Sequence, residues 1–127
     1  KEWPGHKVVV IHSNHANEID SHVKQAINDI ASTGATVLNQ TVMLKGVNDC
    51  PETIVKLSQR LFSCGVLPYY MHLLDAVNGA AHFFISDARA KRIMGEVAGL
   101  LPGYLVPKLV RELANKKSKT LILPTEN

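Results

Sequence analysis

The chain has 127 residues and a mass of 13.9 kDa, which is enough for one compact domain with an ordinary hydrophobic core. Apolar residues make up 46% and charged residues 20%, and this balance excludes a wholly disordered chain. The net charge of +3 is too small for a uniformly basic nucleic-acid-binding surface, and no apolar run reaches the roughly 20 residues of a membrane span.

Cysteine usage and the first residues both favour a cytoplasmic protein. The two cysteines, Cys50 and Cys64, are too few for a disulfide framework or a zinc ligand set, so we expect a reducing environment. The opening residues, KEWPG, lead directly into an apolar strand and do not have the pattern of a signal peptide.

The chain begins with a predicted strand–helix–strand unit. Residues 7–11 are a β-branched run, which predicts a strand buried on both faces. Apolar residues at spacings of three and four predict a helix over 19–30, and Gly34 ends it because glycine adopts a left-handed conformation at little cost. Residues 36–44 are the second predicted strand.

Two further units follow. We expect Asp49 to cap a second helix, with Pro51 in the first turn and Glu52 completing a capping box. That helix ends at Gly65, and residues 66–74 are the third predicted strand, followed by a polar loop over 75–79. Ser86 is expected to cap a third helix. Residues 104–110 are predicted to be extended and to lead into an irregular, lysine-rich tail.

The alternation of strands and helices predicts an α/β fold with a parallel sheet and the helices outside it. Three such units are too few for a closed eight-stranded barrel, so they form either a small open sheet or a part of a barrel. The first strand begins almost at the first residue, which is not methionine, and this favours a part of a barrel.

Polar residues follow the predicted strands at their carboxyl ends, where parallel α/β folds bind ligands. His12 to Asn17 follow the first strand, Asn39 and Gln40 interrupt the second, and His72 and Asp75 close the third. Structural roles explain the same residues: His12 and His15 as caps of the first helix and its loop, Asp75 as a turn residue, and the amides as a hydrogen-bonded network. Residue spacing therefore predicts a polar edge of the sheet but does not identify its chemical function.

Five stretches of the chain carry a more specific signal. They are 12–18 (HSNHANE), 38–49 (LNQTVMLKGVND), 67–75 (LPYYMHLLD), 79–83 (GAAHF) and 103–107 (GYLVP). In this order they resemble the C-terminal half of the lysine 2,3-aminomutase family, and most closely its bacterial branch that makes β-lysine for elongation factor P. This resemblance implies that residues 1–127 are the C-terminal part of a radical S-adenosylmethionine enzyme built on a partial βα barrel, with 104–127 as the tail that carries the pyridoxal phosphate lysine.

The resemblance also implies roles for individual residues. Lys119 matches the lysine that forms the Schiff base with pyridoxal phosphate. Glu112 and Asp75 match the acids that bind the side-chain amine of the substrate. His12 and Gln40 match positions that contact S-adenosylmethionine. No metal ligand is expected within this chain.

The implied activity is that of an L-lysine 2,3-aminomutase-like isomerase, which converts α-lysine to β-lysine by a radical 1,2-amino shift on a pyridoxal phosphate imine. The implied cofactors are pyridoxal phosphate, S-adenosylmethionine and a 4Fe-4S cluster. The implied partners are the substrate L-lysine and the elongation factor P modification pathway. We also expect a homo-oligomer, because an exposed sheet edge recruits partner strands.

Several features depart from the family pattern. The CxxxCxxC loop that holds the cluster is absent, so we expect the chain alone to be inactive. Leu121 stands where a proline usually follows the Lys-Thr pair, and residues 115–118 (NKKS) replace a glycine-rich approach. The alternative hypothesis is a stand-alone, non-catalytic, flavodoxin-like α/β domain that binds a small molecule. The lack of a glycine-rich phosphate loop after the first strand counts against its nucleotide-binding form.

Overall fold

The computed structural model of the chain describes residues 7–74, 84–112 and 119–121. Asp75, with the predicted loop that it begins and the resembling stretch 79–83, lies outside the described residues. The β-strands are β1 (Val8–His12), β2 (Thr36–Met43), β3 (Val66–Leu73), β4 (Lys108–Glu112) and β5 (Lys119–Leu121). The α-helices are α1 (Ser21–Ala31), α2 (Pro51–Ser63) and α3 (Asp87–Leu100), and short 3-10 turns lie at Ala16–Glu18 and Gly103–Leu105.

The strands form a single sheet in the order β1-β2-β3-β4-β5. Neighbours from β1 to β4 are parallel, and β5 runs antiparallel to β4. The predicted α/β class and parallel sheet are therefore confirmed. The flavodoxin-like form of the alternative hypothesis is wrong in topology, because that fold places its second strand outside the first in the order 2-1-3-4-5.

All three helices pack on one face of this sheet. Two apolar clusters join the helices to it, one beside β1 and β2 and the other beside β3 and β4. The first cluster consists of Ile19, Ile27, Val37, Leu57, Leu61 and Val66. The second consists of Met43, Ile54, Met71, Leu73, Ile85, Ala90, Ile93, Met94, Val97, Leu101, Leu105 and Leu109. Apolar burial of this kind stabilises the face by roughly 25 cal/mol per Å² removed from water.

The prediction that the first strand is buried on both faces is wrong. Val8 is 54% exposed and Val10 is 38% exposed, while Val9 and Ile11 between them are half-buried. The reason is position, because within the described sheet β1 pairs with β2 alone and so lies at its outer edge.

Helix ends follow the predictions at Ser86, Gly34 and Gly65 and depart from them at Asp49. Ser86 caps α3 by accepting a 3.2 Å hydrogen bond from the Arg89 N–H, and Gly34 has the left-handed φ of 89° that was predicted for it. Asp49 does not cap α2. The cap position belongs to Cys50, which makes no side-chain cap hydrogen bond, because the Asp49 carboxylate instead accepts from the Gly46 N–H at 3.0 Å and from the Arg89 guanidinium at 2.8 Å.

The predicted extended segment 104–110 is confirmed in part, and the expected irregular tail is wrong where Lys119–Leu121 joins the sheet as β5. Gly103–Leu105 is a 3-10 turn and not extended, and Lys108–Glu112 is the fourth parallel strand. Leu109 is buried in the second apolar cluster, and Arg111 pairs with Asp87 at the start of α3. These contacts join the strand to the helical layer. No helix in the described ranges is long and apolar enough to cross a membrane.

Candidate functional site

The sheet face opposite the helices carries a row of polar residues. His12, Gln40, Tyr70 and Lys108 occupy one register position across β1, β2, β3 and β4. Side chains at matched positions of parallel strands lie on the same face. His12 and Lys108 are exposed, and Gln40 and Tyr70 are half-buried. None of the three described helices packs on this face, which we call the open face.

A β-bulge shapes the centre of the open face. Asn39 pairs with Pro68 but Gln40 pairs with Tyr70, so Tyr69 is the additional residue in β3. The rings of Tyr69 and Tyr70 consequently lie side by side, with centroids 4.2 Å apart. A hydrogen bond with Tyr69 raises the pKa of Tyr70. Bulges re-aim side chains and are frequent beside active sites.

Gln40 is connected to the next strand through a histidine. His72 Nε2 and Gln40 Oε1 are 3.2 Å apart, which is hydrogen-bond distance. His72 pairs in register with Val42, so this contact runs diagonally across β2 and β3. The Tyr70 ring meets the imidazole edge-on with centroids 5.9 Å apart. His72 therefore contacts Gln40 from the side of the carboxyl end of the sheet.

Buried amides attach the segment after β1 to β2. Asn39 is 1% exposed; its Oδ1 accepts from the Ser13 N–H at 2.9 Å and its Nδ2 donates to the Ser13 carbonyl at 3.1 Å. Asn14 Oδ1 accepts from the Val42 N–H at 2.9 Å. Asn39 thus has the structural role that the sequence left open. The same hydrogen bonds fix the position of the segment that follows His12.

A third amide joins this network from the turn before α2. Asn48 is 0% exposed. Its Nδ2 donates to the carbonyls of Asn14 and Val42, each at 2.9 Å, and its Oδ1 accepts from the Leu44 N–H at 2.7 Å. His15 has a local role as well, because its Nδ1 accepts from the Asn17 N–H at 3.1 Å and caps the 3-10 turn.

Glu112 and Lys119 are brought together through the backbone. They are paired positions of the antiparallel strands β4 and β5. Opposed residues of such strands have Cα atoms about 4.5–5.5 Å apart. Glu112 ends β4, so this pair lies at the same carboxyl edge of the sheet as His12, which ends β1. Neighbouring strands are about 4.8 Å apart, which places β4 about 10 Å from β2 and its Gln40.

The sequence-based sites are thus assembled in two groups. His12 and Gln40 are register partners on the open face, Glu112 and Lys119 are backbone partners at its far side, and Asp75 lies outside the described residues. Within the described ranges no group of three His, Cys, Asp or Glu residues could hold a metal ion, and both cysteines are free.

Sequence reasoning missed Tyr70 and Lys108 as members of this face. The alternation in β3 carried part of the signal, since Met71 and Leu73 are buried on the helix side and the residues between them face the other way. The bulge that brings Tyr70 opposite Gln40 has no comparable signal in the sequence.

Comparison with known proteins gives a consistent set of relatives. The chain is 51% identical over 113 residues to a protein named L-lysine 2,3-aminomutase from Escherichia coli (strain K12), covering 89% of this chain and 33% of that protein. Proteins of the same name from Haemophilus influenzae and Methanococcus maripaludis are 51% and 36% identical over 90% and 89% of this chain. No family model matches. The predicted resemblance is confirmed, and the chain spans about a third of the length of the curated relatives it matches.

Proposed function

We propose that this chain, which is homologous to part of the proteins named L-lysine 2,3-aminomutase, is the C-terminal part of an isomerase that converts α-lysine to β-lysine. The observation that carries the proposal is the register pairing of Glu112 with Lys119 at the carboxyl edge of a parallel sheet. This pairing brings a carboxylate-bearing residue and an amine-bearing residue to one position, where α/β folds bind ligands.

Lys119 is the residue proposed to hold pyridoxal phosphate. Its amine reacts only when neutral, and neighbouring cations favour the neutral form of a lysine. Lys116 and Lys117 precede it closely in the sequence and would supply such charge. Its backbone position beside the last residue of β4 fits a cofactor that lies over the carboxyl edge of the sheet.

Glu112 and Asp75 are proposed to bind the side-chain ammonium of the substrate. An ammonium group that leaves water for a closed site needs paired negative charge, because an unpaired buried cation is unstable by several kcal/mol or more. Two carboxylates provide that charge and would repel glutamate, whose side chain is itself an anion. They therefore favour L-lysine as substrate.

His12 and Gln40 are proposed to contact S-adenosylmethionine. Their fit rests on the open face, where an imidazole and a carboxamide lie at one register position with no described helix over them. When bound, pyridoxal phosphate and S-adenosylmethionine supply the electron sink and the radical for a 1,2-amino shift. The cysteine ligands of the 4Fe-4S cluster would come from a part of the protein outside this chain, so the chain alone is expected not to turn over.

The use of β-lysine for elongation factor P modification is a further part of the proposal. Its test is the mass of elongation factor P purified from cells with and without the intact gene. A mass that is the same in both would contradict it. The homo-oligomer and the cytoplasmic setting stay predictions.

The lysine assignment can be tested directly. The intact protein is incubated with pyridoxal phosphate, reduced with borohydride and digested, and the modified peptide is identified by mass spectrometry. We expect selective labelling at Lys119 and its loss in a Lys119→Ala variant. Lys45→Ala, at an exposed lysine in the turn after β2, is the matched control and should keep the label. Labelling spread evenly over exposed lysines would contradict the proposal.

The substrate assignment needs the loaded enzyme. The intact protein, reconstituted with iron, sulfide and both cofactors, is expected to form β-lysine from L-lysine. Product from glutamate, or no product from a fully loaded protein, would refute the substrate.

A further inference from the structure

We propose that His72 is a positioning residue that fixes the carboxamide of Gln40 for contact with S-adenosylmethionine. The inference rests on the proposed function, because it takes from there the contact between Gln40 and this cofactor. It adds a second residue to the site and states which end of the Gln40 amide meets the ligand.

The hydrogen bond between the two side chains defines the direction of the amide. Gln40 Oε1 lies 3.2 Å from His72 Nε2. A carboxamide oxygen can only accept, so the imidazole must carry a proton on Nε2 and donate it. The Gln40 oxygen is therefore engaged within the protein. In the part of the chain that the structure describes, the Gln40 Nε2 group donates no hydrogen bond, and it remains available to a ligand.

His72 can hold this orientation because its own ring is held. The Tyr70 ring meets it at an interplanar angle of 73°, and His72 is half-buried in the strand. A free glutamine side chain loses conformational freedom when it is fixed, and this loss opposes binding. A glutamine that is already oriented loses less on binding, and the affinity for the ligand is higher for that reason.

The direction of the amide identifies the ligand group. An amide nitrogen donates, so the group on S-adenosylmethionine that meets Gln40 is a hydrogen-bond acceptor: the carboxylate, a ribose hydroxyl oxygen or a ring nitrogen of the adenine. The cationic sulfonium and the ammonium group of the cofactor are not expected partners.

A double-mutant cycle tests the inference through binding and does not require turnover. The variants are His72→Phe, Gln40→Ala and the two combined, made in the intact protein with its cluster reconstituted. His72→Phe keeps a ring against Tyr70 and removes the donor. The Kd of S-adenosylmethionine is measured by equilibrium dialysis, and the Kd of pyridoxal phosphate by absorbance. His22→Phe, at an exposed histidine of α1, is the matched control.

We expect His72→Phe to raise the Kd of S-adenosylmethionine roughly three- to tenfold, because Gln40 must then be oriented at the moment of binding. In the double variant His72→Phe should add nothing to the effect of Gln40→Ala, because His72 acts through Gln40. His72→Gln, which retains a donor, should restore most of the affinity. The Kd of pyridoxal phosphate and the His22→Phe control should not change. If His72→Phe does not fold, His72→Met removes the same donor and replaces it in the cycle.

Failure of the proposed role of Gln40 and failure of the inference about His72 give different results in this experiment. A wild-type protein that does not bind S-adenosylmethionine, or a Gln40→Ala variant with unchanged Kd, would refute the role of Gln40 in the proposed function. An effect of Gln40→Ala combined with no effect of His72→Phe would refute the inference alone. Effects of the two substitutions that multiply in the double variant would also refute it, as would an equal loss of pyridoxal phosphate affinity.

Discussion

Truncation of Asn48 should destabilise the chain more than any other single amide change near the site. This side chain is 0% exposed and makes three hydrogen bonds, which join the turn before α2, the segment after β1 and the strand β2. Asn48→Ala leaves the Leu44 N–H and the carbonyls of Asn14 and Val42 without these partners. Each buried group left unsatisfied contributes about 1 kcal/mol or more, so we expect a loss of about 3 kcal/mol.

The assay is urea unfolding followed by far-ultraviolet circular dichroism, with a thermal scan in parallel. For a chain of this length, a loss of about 3 kcal/mol lowers Tm by about 10 °C. Asn28→Ala is the matched control, because Asn28 is exposed in α1 and alanine favours the helix; its effect should stay within about 0.5 kcal/mol.

A second substitution separates hydrogen bonding from lost volume. Asn48→Asp keeps the size of the side chain and the acceptor for the Leu44 N–H, but it turns the donor into a carboxylate oxygen beside two carbonyls. We expect it to destabilise at neutral pH at least as much as Asn48→Ala, and to recover in part at acid pH, where a protonated carboxyl donates again. An Asn48→Ala loss below about 1 kcal/mol, or equal to that of Asn28→Ala, would refute the reasoning.

Three further predictions concern charge and backbone. Glu112→Gln should raise the KM for lysine about 10- to 100-fold in the loaded intact enzyme with a smaller change in kcat, as loss of a charged hydrogen bond does; an unchanged KM would contradict its role. Burial acts to raise the pKa of Asp49, but hydrogen bonds from Arg89 and a backbone N–H outweigh it and hold this pKa below its ordinary value of 3.8. The unfolded state then binds the proton more tightly, so the destabilisation caused by Arg89→Met should be full at neutral pH and should be lost as pH falls through this lowered pKa; a pH-independent difference would refute it. Gly95→Ala, with no atom within 4 Å of the added carbon, should raise the unfolding free energy by about 0.5–1 kcal/mol, whereas Gly65→Ala, at a φ of 83°, should lower it by about 1 kcal/mol, and equal signs would contradict the backbone argument.

Structure could be predicted best from the sequence where it depends only on neighbouring residues. The apolar spacing of the helices, the cap at Ser86 and the left-handed Gly34 were all predicted, because each depends on residues within one or two turns. Asp49 shows where such rules fail. Its spacing satisfies a capping box, but a guanidinium 40 residues away and a nearby backbone N–H compete for the same carboxylate.

Residues of the candidate site could be proposed one by one from the sequence, but their arrangement could not. His12 and Gln40 were proposed from their similarity to a family and from their places at the end of one strand and within another, and Lys119 was proposed from the similarity alone. The bulge that aligns Tyr70 with Gln40, and the strand that brings Lys119 opposite Glu112, depend on pairing between distant segments. A three-residue strand such as β5 has too few positions to show a period.

The open face itself argues for a part of a barrel over a stand-alone domain. Parallel sheets are ordinarily covered on both faces, yet the three helices within the described residues all lie on one. The uncovered residues form successive rows: Val10, Leu38 and Leu67 towards the amino ends of the strands, then the row that contains His12 and Gln40. Barrel interiors are built from such layers, apolar in the middle and polar at the carboxyl end, where the substrate binds. A stand-alone sheet would need a second helical layer over Leu38, whereas a barrel covers it with its own remaining strands. The change from apolar to polar along this face therefore supports the proposal that the chain is part of a larger barrel.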